Sequence, residues 1–358
     1  MSAINGARSE DAIQVELPRQ ASLRLRLAHV VFGLTIRRLA NLAVWSHHHH
    51  LLPKGFALSV TTRADRLAVV LRPPRGTRLQ RHDFPDFRAE WVWNPSVTDA
   101  PEIAGGAVLY FHGGGLASCG LNTHRRIVAR LSTATGLPVY NVEYRQIPKA
   151  HVTVTVSDCV QAYRRLLSMG IPAQRIVLAG DSAGGGLVFS TALAIRDSGL
   201  PMPAALVAIA PFANYDSTAR FNHPNDKTDP ALSAGILDLP IRWGVRVNGA
   251  LDPAWSSINH DFSGLPPTMI QVGSTEVLLA DAYEVAERCI AAAVPLRFQL
   301  WDHAIHVFHA GADVLPDARQ AFSEIGNFVR TTLVHQVDDR DDADVSSLTS
   351  TATERMAL

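Results

Sequence analysis

From residue 105 to 310, short apolar runs alternate with longer stretches of helical periodicity, and this alternation limits the possible folds more than any other feature of the chain. A near-continuous apolar run suits a strand buried on both faces, and a helical stretch is what a crossover between parallel strands requires. The expected strands are 107–111, 138–143, 175–179, 204–210, 268–272 and 296–301. The expected helices are 123–135, 157–169, 183–198 and 280–293, with Gly136, Gly170 and Gly199 as C-terminal stops. Residues 79–94 alternate loosely through Phe87, Ala89, Trp91 and Trp93, which predicts an antiparallel pair leading into the sheet. Residues 212–255 are polar and broken by proline, and read as an insertion above the sheet. The fold class is α/β.

Composition removes several function classes. Of 358 residues, 47% are apolar, enough to bury a large core. Lys+Arg and Asp+Glu stand at 33 each, so the chain lacks the cationic excess that neutralises nucleic-acid phosphates, and no nucleic-acid partner is expected. Cys119, Cys159 and Cys289 are too few and too dispersed for a disulfide scaffold or a cysteine zinc site. They read as small hydrophobes in a reducing compartment, which makes the expected location cytoplasmic. The first 20 residues mix charges of both signs and lack an apolar export segment.

Residues 23–45 are richer in apolar side chains, but their longest run free of charge, 27–36, falls short of the roughly 20 residues that span a bilayer. Arg24, Arg26, Arg37 and Arg38 flank that run. A helix covering the domain's own binding site is the preferred reading, with a peripheral helix on an anionic membrane as the alternative. Four consecutive histidines, His47 to His50, cannot all face one ion from a helix or strand and read as a solvated loop. The expected organisation is N-terminal cap or membrane-surface helices over 1–60, a catalytic domain over 61–335, and a disordered acidic tail over 336–358.

Two glycine-rich turns carry chemistry. Gly180-Asp181-Ser182-Ala183-Gly184 follows an expected strand and opens an expected helix, the setting in which a serine hydroxyl is presented from a sharp, strained turn. A pentapeptide of this type arises by chance about 0.1 times in such a chain, so alone it is modest evidence. A phosphate-cradling loop would want a Lys-Ser/Thr pair or the dinucleotide glycine spacing, and neither is present. His112-Gly113-Gly114-Gly115 also ends an expected strand, and its chance frequency is about 0.005. Glycines at this place let backbone N–H groups reach a developing oxyanion, as acyl transfer demands. His112 reads as a support of that loop without a role in proton transfer.

An acid and a base are expected after the last two strands. Gly273-Ser274-Thr275-Glu276 follows 268–272, and Asp302-His303-Ala304-Ile305-His306-Val307-Phe308-His309 follows 296–301. Glu276 is the preferred acid; Asp281, the rival, is expected to be solvated or to cap the following helix. His306 is the preferred base over His303. The spacing of 303, 306 and 309 suggests a metal only weakly, because no further ligands fall in a recognisable pattern, so no metal is assigned.

With those residues in place, the chain resembles the hormone-sensitive-lipase-like branch of the α/β-hydrolases over roughly residues 105–330. The resemblance rests on Tyr110-Phe111-His112-Gly113-Gly114-Gly115, Glu143-Tyr144-Arg145 with Pro148, Gly180 to Gly185, Leu265-Pro266-Pro267, Gly273 to Glu276, and His306-Val307-Phe308. It implies an eight-stranded, mostly parallel sheet and a cap made from the N-terminal helices plus the insertion after Pro211. It further implies cofactor-free hydrolysis of short- to medium-chain acyl esters, with oxyanion donors at Gly113, Gly114 and Ala183, and Asp181 and Gly115 supporting their motifs. The chain departs from the family at Gln146-Ile147-Pro148-Lys149 and Ala210-Pro211-Phe212-Ala213-Asn214, which flank the acyl pocket or cap and bear on substrate preference. Two other readings share the scaffold. One transfers the acyl group to another acceptor or cleaves an amide; the other is a binding protein, as in plant gibberellin receptors, which lack the base histidine.

Overall fold

The computed structural model describes residues 13–49, 51 and 65–334; residues 1–12, His50, 52–64 and the expected tail over 336–358 lie outside the described residues. Six strands form where the apolar runs predict them: β4 (Ala107–Phe111), β5 (Val139–Glu143), β6 (Ile176–Asp181), β7 (Ala205–Ile209), β8 (Thr268–Gly273) and β9 (Leu296–Trp301). The expected pair is β2 (Arg78–Asp83) and β3 (Arg88–Trp93), antiparallel to each other, with β3 also antiparallel to β5. A ninth strand was not foreseen: β1 (Val15–Glu16) pairs in parallel with β9, with Val15 opposite Phe298. Two residues are too short for periodicity to register, and what seats them is tertiary. Arg297 and Gln299 on β9 donate to the Glu16 carboxylate.

The sheet order is β1-β9-β8-β7-β6-β4-β5-β3-β2. Alternate residues of each central strand enter two separate cores, as the pleat requires. On β4, Ala107, Leu109 and Phe111 face one side, and Val108 and Tyr110 face the other. The first core is covered by α4 (Val152–Ser168), α5 (Ala183–Asp197) and α9 (Leu279–Ala291), through residues such as Tyr163, Phe189 and Val285. The second is covered by α3 (Leu121–Thr135) and α10 (residues 316–334), through Ile127, Leu131, Phe322 and Ile325. Helix α4 begins five residues before its expected start. Its first turn, Val-Thr-Val-Thr-Val, is β-branched and reads poorly as helix, but His151 caps it and the Thr155 hydroxyl donates to Arg145 O.

The N-terminal segment is helical as α1 (Leu23–Leu34) and α2 (Ile36–His48), bent at Thr35. With Thr35 the two make a stretch of 26 residues, long and apolar enough to cross a bilayer, a result the count of charge-free residues had excluded. One side of the pair nevertheless packs on the domain: Leu25 enters the second core with Ala28 and Phe32 against it, and a Cβ on Gly235 would touch Val44. His47 and His48 belong to α2, so the expected solvated loop does not form there.

The insertion contains α6 (Thr218–Asn222), α7 (Asn225–Thr228) and α8 (Ala234–Pro240). Its anchor is a fully buried ion pair in which Arg220 Nη1 lies 2.8 Å from Asp281 Oδ1. Asp281 Oδ2 also accepts the N–H groups of Ala213 and Asn214 at 3.0 Å. The expectation of a solvated or helix-capping Asp281 is therefore corrected: the residue clamps the cap to α9. Its partner lies 61 positions away, so no local pattern marks the pair. Removing one member strands a buried charge, so Arg220→Leu is expected to cost about 3–5 kcal/mol, read as a lower urea midpoint than the unmodified chain.

Candidate active site

The loops after β4, β6, β8 and β9 meet at the C-terminal edge of the sheet. Ser182 separates β6 from α5 with φ 52° and ψ −119°, a conformation that costs about 1–3 kcal/mol and persists only where its surroundings enforce it. Two backbone bonds do so: Ser182 N donates to Ile209 O and Phe212 N donates to Ser182 O, each at 2.8 Å. The flanking glycines are steric necessities. A Cβ on Gly184 would sit 1.9 Å from Phe111 O, and one on Gly180 2.5 Å from the Gly184 backbone.

Asp181 joins this turn to the neighbouring one. Its buried carboxylate accepts the Tyr110 hydroxyl at 2.6 Å and Gly113 N at 3.1 Å, and lies 3.3 Å from His124 Nε2. Burial opposes the charge, yet the His124 ring and the Tyr110 hydroxyl outweigh it and hold Asp181 down at about 2. His124 is correspondingly raised: burial works against its charge, and Asp181 overcomes that. The glycine loop is held by His112, whose Nδ1 lies 2.7 Å from Gly113 O and whose ring stacks on Tyr144 at 4.4 Å. Burial, with the charge of His124, pushes His112 down to about 4, so it is neutral at pH 7.

This arrangement sets the three glycines of the loop apart. The Gly113 N–H is committed to Asp181, and a Cβ there would fall 2.2 Å from Asp181 Oδ2. Gly114 and Gly115, not Gly113, line the adjoining cavity. The third glycine, expected to support the motif, lines the cavity. Nothing in the tetrad distinguishes its glycines; the distinction comes from a carboxylate 68 residues away.

Glu276 and His306 are brought together from separate loops. Glu276 is buried, with Oε1 accepting Gly273 N at 2.7 Å and Oε2 accepting His306 Nδ1 at 2.6 Å. With Nδ1–H bonded to Glu276, Nε2 of a neutral His306 carries the lone pair. Burial disfavours the imidazolium, but the hydrogen bond and charge of Glu276, with Asp229 and Asp181 behind it, raise His306 above its ordinary value. The rival histidines lie elsewhere. His303 Nδ1 pairs with Asp302 at 2.6 Å near α1, and its side chain is 46% exposed. His309 is buried against Gln271 Oε1 at 2.7 Å and pushed by burial down to about 3.

Ser182 and His306 line one cavity of about 550 Å³ without a hydrogen bond between them, a looseness such pairs commonly show before substrate binds. Its walls are mostly apolar: Ile127, Ile236, Leu239 and Trp243 join Gly114, Gly115 and Cys119, and α2 contributes Ala43 and His47. Such a volume suits a ligand of drug or acyl-ester size. Cys119, expected as a buried hydrophobe, instead faces the cavity at φ 65°. Sequence reasoning also passed over Asn225 and Asp229 of the insertion. Asn225 Nδ2 donates to Ser274 O and Glu276 O at 2.9 Å, and Asp229 Oδ2 accepts Val277 N at 2.8 Å. Burial and the nearby Glu276 charge push Asp229 up to about 6.

The profile of the alpha/beta hydrolase fold family matches residues 108–310, more than half of the chain. The chain is 36% identical to the carboxylesterase/phospholipase LipF of Mycobacterium tuberculosis over 329 residues, covering 89% of this chain and 85% of that protein. It belongs to the hormone-sensitive-lipase-like branch of the α/β-hydrolases. Other relatives agree. The esterase LipU of Mycobacterium tuberculosis is 37% identical over 74% of this chain and 91% of its own. Among solved structures, an esterase/lipase from an uncultured bacterium superposes with a TM-score of 0.74 at 30% identity, over 88% of this chain and all of that one. An esterase of the bacterial hormone-sensitive lipase family gives 0.69 at 32% identity, over 75% of this chain and 90% of that one.

In this α/β-hydrolase the electrostatics of the pair can be measured directly. An NMR titration is expected to place His306 above 6.5, the ordinary histidine value, and to place it lower in Glu276→Gln, because the substitution removes the charge that favours the imidazolium. An unchanged His306 titration would show that Glu276 does not set its basicity.

Proposed function

We propose that the protein is a carboxylic-ester hydrolase acting on short- to medium-chain acyl esters, with Ser182 as nucleophile, His306 as general base and acid, and Glu276 as the orienting carboxylate. The observation that carries this reading is the Glu276–His306 hydrogen bond at 2.6 Å on a ring that lines the same cavity as the strained Ser182. The printed names of the relatives, carboxylesterase and esterase, support the reaction class.

Ser182 Oγ attacks the ester carbonyl carbon as its proton passes to His306 Nε2, and Glu276 stabilises the imidazolium that forms. The carbonyl oxygen becomes an anion. Its donors are the backbone N–H groups of Gly114, Gly115 and Ala183: the two glycines line the cavity, and Ala183 is the first residue of α5, where an N–H has no intrahelical acceptor. The intermediate collapses, the C–O bond to the alcohol breaks, and the alcohol leaves with the proton from His306. Water then attacks the acyl-enzyme, gives its proton to His306, and the carboxylic acid departs as Ser182 recovers its proton. The apolar walls favour the acyl chain, and no cofactor enters any step.

Neutral His306 is the reactive form, so turnover is present above its pKa and lost as pH falls through it. Turnover of p-nitrophenyl acetate through palmitate is expected to vanish in folded Ser182→Ala. In Glu276→Gln it is expected to fall about 10³–10⁴-fold, with the surviving acid limb displaced to lower pH. Asp281→Asn should lower the urea midpoint and leave kcat of the folded fraction near that of the unmodified chain. Loss of kcat in Asp281→Asn with full retention in Glu276→Gln would transfer the acid to Asp281. A folded chain without turnover on any ester would overturn the hydrolase reading.

A further inference from the structure

The inward sides of α1 and α2 are occupied, yet their outward sides are strongly apolar. Leu27, Val30 and Leu34 on α1 are 62%, 54% and 55% exposed, and Leu39, Leu42 and Trp45 on α2 are 63%, 54% and 49% exposed. On each helix the spacing of three or four residues gathers these side chains into one stripe. Cations rim the stripe. Arg24 and Arg38 are exposed and have no carboxylate partner among the described residues, while Arg26 faces Asp302 and Arg37 faces Asp226. From Leu17 to Ala64 the sequence holds seven Lys or Arg and no Asp or Glu.

We propose that the outer face of α1 and α2 docks the enzyme on an anionic lipid surface. An apolar stripe with a tryptophan, bordered by arginines and free of acidic side chains, matches the chemistry of a headgroup boundary: hydrocarbon below, phosphate beside it. A second copy of the chain fits the face poorly, because the same cationic segment would meet itself. The helices lie on the surface and do not span it: Leu25 is 1% exposed in the second core, and Ala43 and His47 line the cavity.

This geometry makes α2 the wall between the lipid and the cavity, with Leu42 and Trp45 outside and Ala43 and His47 inside. If the ester-hydrolase reading holds, the substrate is an acyl ester dissolved in the lipid that enters beside α2. The docking itself does not depend on that reading, and Ser182→Ala is expected to dock as the unmodified chain does.

The test is flotation of the full chain with vesicles of phosphatidylcholine alone and of equal parts phosphatidylcholine and phosphatidylglycerol. Folding of every variant is checked by thermal melting, so the result stands whether or not the protein hydrolyses esters. The chain should float with the anionic vesicles and bind the neutral ones far less. Arg24→Gln and Arg38→Gln should each lower partitioning about fivefold. The double variant Leu27→Asp/Leu34→Asp should remain in the soluble fraction, with turnover of soluble p-nitrophenyl acetate unchanged. The proposal is overturned if the unmodified chain stays soluble with both vesicles, or if the double variant floats as well as the unmodified chain. It is equally overturned if the unmodified chain is a dimer that the double substitution separates, since a second copy then covers the face.

Discussion

The active-site end of this fold depends on one buried carboxylate. Asp181 precedes Ser182 and reaches across to the loop after β4, where it accepts the Gly113 N–H and the Tyr110 hydroxyl beside the His124 ring. A carboxylate removed from water without such partners costs several kcal/mol, so the three contacts are conditions for its burial. Because they come from β4, the glycine loop and α3, satisfying them fixes those elements relative to Ser182. Glycines at 180 and 184 make the approach sterically possible, and Asp181 makes it electrostatically favourable. The outcome is a strained serine held in register with two glycines that line the cavity.

The cap reaches the opposite side of the same site through a second buried network. Arg220 and Asp281 tie α6 to α9, while Asn225 and Asp229 hold the backbone on either side of Glu276. Displacement of the insertion would therefore disturb the carboxylate bonded to His306 as well as the cavity wall. The two apolar cores meet this end of the sheet from opposite faces, and their close packing keeps the loops from relaxing independently.

Much of this was legible in the residues because the signals are local. Six strands follow from apolar runs, Ser182 from a steric pattern, and Glu276 and His306 from their places after the last two strands. What was not legible shares a cause. Asp281 is carboxylate by composition and structural anchor by contact, and its partner Arg220 carries no local mark. Gly113 and Gly115 are chemically identical, and only Asp181 makes the first a tether and leaves the other facing the cavity. Cys119 and His47 look ordinary in sequence and line the cavity because distant segments fold over it. Strand β1 is too short to show periodicity, and its pairing rests on Arg297 and Gln299 near the other end of the chain.

The sequence by itself determined the α/β alternation, the two glycine turns and the chemical types placed after β8 and β9, since periodicity and backbone sterics act over a few residues. The tertiary structure alone decided which histidine meets Glu276, which glycines line the cavity, which carboxylate is an anchor, and which sides of α1 and α2 remain outside. Each of those outcomes depends on burial or hydrogen bonding between groups tens to hundreds of residues apart, where desolvation and partner geometry, and not local pattern, set the energy.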